Sequence, residues 1–162
     1  MEIAIIADTH LPRGRRRLPA ACLRRLRAAD LIVHAGDLST EAVLDELEAC
    51  GKVVAVAGNA DDAGVRARLP QSAVVAAGPR RIAVVHDAGP ARGRLARMRA
   101  RFPDVDAVIF GHSHIPLLEH DARGFQIFNP GSPTERRRAP RHTMGLARVS
   151  AGGIGFRLLG LD

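Results

Sequence analysis

The chain has 162 residues, 46% of them hydrophobic and 25% charged, with a formal net charge of +7. That length suits one domain, residues 1–162, with a real core, and the composition excludes a disordered or low-complexity chain. Two cysteines, Cys22 and Cys50, without C-x-x-C spacing exclude a disulfide framework, and no run approaches the ~20 apolar residues of a membrane span.

The opening MEIAIIADTH carries an acid at position 2 and no basic leader segment, so residues 2–7 read as the first strand and the chain as cytoplasmic. A helical pattern follows at 19–29, then a strand at 31–35. The next helix spans 40–50, with Ser39 or Thr40 as its cap, Glu41 in its first turn and Gly51 as its stop. A strand at 53–57 and a weaker helix at 60–69 come next. Strands at 73–77 and 81–86, a helix at 91–102, and strands at 106–110 and 124–128 continue the order. The pair 143–150 and 153–159 flanks Ala-Gly-Gly, a hairpin signal. The early β-α-β-α-β order predicts parallel strands, while the last third reads as antiparallel. This predicts an α/β fold of two packed mixed sheets with helices outside.

Lys52 is the sole lysine, so nearly all positive charge is arginine, clustered at 13–27 and in ERRRAPR at 135–141. Nucleic-acid binding is one reading of those clusters. The chain has no Trp or Tyr to stack bases, and the arginine bias looks compositional, so solvated surface is the favoured reading.

The polar residues at the strand ends form a pattern. The first strand ends in Asp8-Thr9-His10, the second in Gly36-Asp37, the third in Gly58-Asn59. The fifth ends in His86 and the sixth in Gly111-His112-Ser113-His114. His112 and His114, two apart in extended chain, would project to one side. Each motif alone has an ordinary explanation as a turn residue or a hydrogen-bonded histidine. Seven candidate ligands just past five strands are hard to assign to chance. Two Asp, one Asn and four His, without Cys, make an oxygen and imidazole set suited to Mn²⁺, Fe²⁺, Zn²⁺, Co²⁺ or Ni²⁺. Seven ligands exceed the needs of one ion and suffice for two if a carboxylate bridges.

In order and spacing these motifs resemble the calcineurin-like metallophosphoesterases, from residue 3 to about 133. The closing Asn129-Pro130-Gly131-Ser132 is similar to that of the compact bacterial and archaeal phosphodiesterase branch. The resemblance implies a four-layer α-β-β-α sandwich. It implies that Asp8, His10 and His114 hold one ion, Asn59, His86 and His112 a second, and that Asp37 bridges them. Asp37, Asn59 and His112 would then be the catalytic residues. The implied reaction is phosphodiester hydrolysis by in-line attack of a metal-bridging hydroxide on a small phosphate ester, with Mn²⁺ the favoured cofactor.

Two positions depart from the family pattern. Ala60 stands where many members carry a proton-donating His, and Asp87 follows His86 where Gly is frequent. Asp87 reads either as a carboxylate orienting an imidazole or as an exposed turn residue. His34 is expected in the core or behind a ligand, and His120 and His142 on the surface. Asp61 is expected to support a ligand or cap a helix, and Asn129 and Ser132 to shape the turn below the site. Two alternatives accompany the phosphodiesterase reading: a non-catalytic interaction scaffold of the same fold, like the retromer subunit, and a metal-dependent nuclease. The oligomeric state is left open.

Overall fold

A computed structural model describes residues 1–162. In chain order the elements are β1 (Glu2–Ile6), α1 (Ala20–Ala28), β2 (Leu31–His34), α2 (Glu41–Cys50), β3 (Val53–Ala55), α3 (Ala63–Arg68) and β4 (Ser72–Ala77). They continue with β5 (Arg80–Val85), α4 (Arg94–Arg101), β6 (Ala107–Ile109), β7 (Leu117–His120), β8 (Gln126–Asn129), β9 (Thr143–Ser150) and β10 (Gly153–Gly160). The strands form two five-stranded sheets, ordered β10-β9-β1-β2-β3 and β4-β5-β6-β8-β7. Both are mixed. β1, β2 and β3 run parallel and β9 and β10 antiparallel. In the second sheet β5, β6 and β8 are parallel, with antiparallel β4 and β7 at its edges.

The apolar runs of β1, β2, β5 and β6 are continuous because both faces of these strands are covered. Ile3, Ile5, Leu31 and Val33 meet Ile82, Val84, Ile109 and Phe128 between the sheets. The alternate residues Ala4, Ile6 and Ile32 pack outward against Cys22 and Leu26 of α1 and Leu44 and Leu47 of α2. Across the second sheet, Val108, Phe110, Phe125 and Ile127 cover Met98 of α4. Helix, sheet, sheet and helix are therefore four stacked layers. Each fully buried large aliphatic side chain contributes about 1.5–3 kcal/mol. Truncating Leu47 would cost roughly 2–5 kcal/mol.

Strand β7 is absent from the elements predicted by the sequence. It is an edge strand in which Leu118, Glu119 and His120 all face solvent, so no alternation marks it. Helix α4 begins at Arg94 rather than 91, after Gly93 in the left-handed region. Helix α2 starts at Glu41, just after Thr40, yet the Thr40 hydroxyl makes no capping bond and has no partner. The side chain that does cap a helix is Asp62, which accepts from Val65 N at 2.9 Å on α3. Gly51 ends α2 in extended rather than left-handed backbone. Cys22 and Cys50 are both free, and burial pushes the Cys22 thiol up to about 12. No helix is long and apolar enough to cross a membrane.

Candidate metal centre

The parallel strands of both sheets end at one rim, and the loops leaving them carry all seven candidate ligands. Five of the seven adopt positive φ: Asp8 (55°), His10 (46°), Asp37 (61°), His112 (69°) and His114 (59°). Such conformations cost non-glycine residues about 1–3 kcal/mol each and gather where a site over-determines them. They overturn the extended-chain argument for His112 and His114. β6 ends at Ile109, and the two histidines sit in left-handed turns that send their rings to different halves of the centre.

Glycines allow the loops to close in. A Cβ at Gly36 (φ +91°) would lie 2.6 Å from His86 Nδ1, and one at Gly111 would lie 2.9 Å from Asp8 Oδ2. A Cβ at Gly58 would collide with the Asp37 carboxylate.

In the inner half, the His10 and His114 rings stack with centroids 5.1 Å apart. Their Nε2 atoms face each other at 3.2 Å, and His114 Nε2 lies 3.6 Å from Asp8 Oδ1. His114 Nδ1 donates to the Glu135 carbonyl, which leaves the His114 Nε2 lone pair directed into the centre. Burial lowers both imidazoles, His114 to about 4, so both are neutral donors at pH 7.

In the outer half, His86 Nδ1 donates to the Ala35 carbonyl at 2.8 Å. Its Nε2 faces Asn59 Oδ1 at 2.9 Å and His112 Nδ1 at 3.3 Å. His112 Nδ1 is also 3.0 Å from Asn59 Oδ1. Asp37 lies between the halves, with Oδ2 3.6 Å from His10 Nε2 and 3.3 Å from His86 Nε2. Its Oδ1 accepts from Ala60 N at 2.7 Å.

The electrostatics fit a cation. Burial raises Asp8 to about 7, and its Oδ2 is buried with no partner at all. Burial also acts to raise Asp37, but hydrogen bonds from His86 and Ala60 and the charge on His86 outweigh it and bring Asp37 to about 2. Burial acts to lower His86, and the hydrogen bond to Asp37 and the charges of Asp8 and Asp37 raise it instead. A neutral His86 would set its Nε2 lone pair against the Asn59 oxygen, an acceptor against an acceptor. A proton or a metal ion relieves that contact. Asp8, His10 and His114 offer ligand atoms within 4.8 Å of one another, as do Asp8, Asp37 and His86. An orphaned carboxylate oxygen and converging imidazole lone pairs are what a divalent ion requires.

The supporting shell is also placed. His34, fully buried, accepts from Gly36 N at Nδ1 and donates from Nε2 to Thr9 Oγ1 at 3.1 Å. Burial lowers it to about 3. The buried Asp61 carboxylate accepts from Gly58 N (2.6 Å), Ser39 N (2.7 Å) and Asp37 N (3.2 Å), clamping the Asp37 and Asn59 loops together. Asn129 donates to the Gly111 carbonyl, and Ser132 Oγ donates to the Asp8 carbonyl at 2.8 Å. Asp87 is exposed and accepts only from Gly89 N of its own turn, so it orients no imidazole. His120 is exposed, and His142 pairs with Asp162 away from the site.

Two features escaped the sequence reading. Glu135 Oε2 lies 4.0 Å from His10 Nε2 and is held by Arg16 Nη1 at 2.9 Å. Arg137 Nη1 reaches the His112 carbonyl at 3.4 Å. The arginine clusters are therefore not wholly solvated surface: Arg16 and Arg137 border the centre. The one signal available was Glu135 itself, a lone acid heading a basic run.

The chain has counterparts among known proteins. Residues 1–152 match the family model of the calcineurin-like phosphoesterase superfamily domain. A probable metallophosphoesterase of Methanocaldococcus jannaschii is 37% identical over 137 residues, covering 83% of this chain and 69% of that protein. Another, of Methanothermobacter thermautotrophicus, is 34% identical over 137 residues, covering 83% and 78%. Among solved structures, wild-type Vps29 complexed with Zn²⁺ from Entamoeba histolytica superposes with a TM-score of 0.77 at 23% identity, covering 100% of each chain.

Proposed function

The chain belongs to the calcineurin-like phosphoesterase superfamily, and we propose that it is a phosphodiesterase working with two divalent cations, Mn²⁺ foremost, on a small phosphate ester. Asp8, His10 and His114 would hold one ion, Asn59, His86 and His112 the other, and Asp37, set between His10 and His86, would serve both. When bound, such a pair neutralises charge on a phosphoryl group and acidifies water. The chain's own residues supply the rest. Asp61 fixes the loops bearing Asp37 and Asn59, and the Ala35 and Glu135 carbonyls set the tautomers of His86 and His114. His112 and Asn59 are solvent-exposed while Asp8 and His114 are fully buried, so a substrate would approach on the outer side.

The observation that carries this reading is the unpartnered Asp8 Oδ2 beside two facing histidine nitrogens. The test is hydrolysis of bis(p-nitrophenyl) phosphate by chelator-stripped protein, restored with Mn²⁺, Ni²⁺, Fe²⁺, Zn²⁺ or Co²⁺ in turn. Activity should appear only with added ion; turnover persisting in excess chelator would overturn it. The free cysteines are in keeping with a reducing cytoplasm.

An interaction scaffold is the second reading, favoured by the fold-level likeness to Vps29. Protein that binds the ions yet hydrolyses no ester would support it. A nuclease needs the arginines to lead to the centre, and Arg16 and Arg137 do border it. The shortage of aromatic side chains keeps a small substrate preferred.

A further inference from the structure

A cleft of about 390 Å³ opens beside the outer half of the centre, lined by Asn59, His86 and His112 and by Arg66, Gln71 and Arg101. We infer that this cleft is a subsite for a second phosphate carried by the diester substrate, held by Arg66 and Arg101. The inference rests on the phosphodiesterase reading and names its substrate class: a diester bearing a neighbouring phosphate monoester.

Three observations support it. First, the cleft adjoins the exposed part of the centre. The inner ligands Asp8 and His114 are fully buried, whereas Asn59 and His112, which line this cleft, are exposed.

Second, the charge suits an anion. Two arginines, Arg66 and Arg101, line the cleft against a single carboxylate, Asp87, which is engaged by Gly89 N at 2.7 Å. Arg66 spends one nitrogen on the Asn59 carbonyl at 2.6 Å, which locks the guanidinium at the cleft wall with its other donors free. Arg101 lies over the Phe102 ring, 5.1 Å from its centroid, and pairs with no carboxylate. An arginine without a carboxylate partner keeps its N–H fork available, the geometry that grips phosphate.

Third, the cleft holds no Phe, Tyr or Trp on which a base could stack, its rings being those of the candidate ligands His86 and His112, and only Ala57 and Val85 are apolar. Recognition there is by charge and by the Gln71 amide.

The test compares thymidine 3′,5′-bisphosphate with thymidine 5′-monophosphate, by calorimetric binding to the Mn²⁺-loaded protein. The bisphosphate should bind about tenfold more tightly, the worth of one charge-assisted contact. In the Arg66→Gln/Arg101→Gln double variant that advantage should fall to about twofold. Because Arg66 also holds the Asn59 backbone, Arg101→Gln alone is the second variant, and it should lose part of the advantage with that bond kept. Equal affinity of the two ligands for the wild-type chain, or an undiminished advantage in both variants, would overturn the subsite. The kinetic counterpart is the kcat/KM ratio of thymidine 5′-(p-nitrophenyl phosphate) with and without a 3′-phosphate, which should follow the same order. Hydrolysis of neither ester would remove the phosphodiesterase reading, while an arginine-dependent binding advantage would still establish the subsite.

Discussion

His10 and His114 point their Nε2 atoms at one another across 3.2 Å, although 104 residues separate them in the chain. With His114 Nδ1 committed to the Glu135 carbonyl, at most one proton, on His10, can lie between the two nitrogens. Both lone pairs are free for a cation once that proton resides on His10 Nδ1 instead.

Divalent metal should therefore stabilise the fold. At 100 times the dissociation constant the gain is about 2.7 kcal/mol, or roughly 5–10 °C in Tm at this chain length. Scanning fluorimetry with Mn²⁺, Zn²⁺ or Ni²⁺ measures it. His114→Ala should lose most of the increment, and a wild-type Tm indifferent to all these ions would refute the centre.

Asp8 gives the centre a pH dependence. Its folded value, raised from 3.8 to about 7 by burial, means its contribution to metal-free stability is complete below 3.8 and is lost as pH rises through about 7. A metal needs the ionised form, so uptake below pH 7 should release a proton from Asp8, with affinity weakening about tenfold per pH unit. Calorimetry in two buffers of different ionisation heat reads that proton. Asp8→Asn should raise the metal-free Tm at pH 8 and abolish the metal-induced rise. A lowered metal-free Tm would contradict the charge-burial argument.

Asp61 touches no proposed ion, yet three backbone N–H groups end on its carboxylate. Asp61→Ala should cost roughly 2–4 kcal/mol by stranding them. It should also weaken metal binding by about 10–100-fold, because the loops of Asp37 and Asn59 lose their common anchor. Chemical denaturation and metal titration separate the two effects.

Neighbouring arginines should behave differently. Arg15 is exposed, whereas Arg16 is half-buried and holds Glu135 against His10. Arg16→Ala should lower metal affinity by about tenfold or more. Arg15→Ala should stay within about twofold. Equal effects at the two positions would return the cluster to plain surface.

Ala60 cannot protonate a leaving group, and its backbone N–H is already bound to Asp37. Diesters and aryl esters should therefore be cleaved far better than alkyl monoesters, whose alkoxide needs a proton worth about 10²–10⁴-fold. Parallel rates on bis(p-nitrophenyl) phosphate, p-nitrophenyl phosphate and an alkyl monoester test this. Ala60→His should narrow the gap, and brisk wild-type turnover of the alkyl monoester would point to another acid.

The sequence by itself determined the layered α/β plan and the seven polar residues past the strand ends. Buried strands must be apolar on both faces, and a ligand's chemistry is a property of its side chain, so both leave local marks. The edge strand Leu117–His120 left none, since neither face is fully covered. The family resemblance implied how the seven divide, but the residues' own spacing did not show it. Left-handed turns at His112 and His114 separate rings that an extended chain would pair, and nothing two residues wide encodes that. Only the tertiary structure brought Glu135 and Arg16 to His10 and set Asp61 under Asp37. Those contacts join loops from different strands, and their energy depends on distance through space, which residue order does not fix.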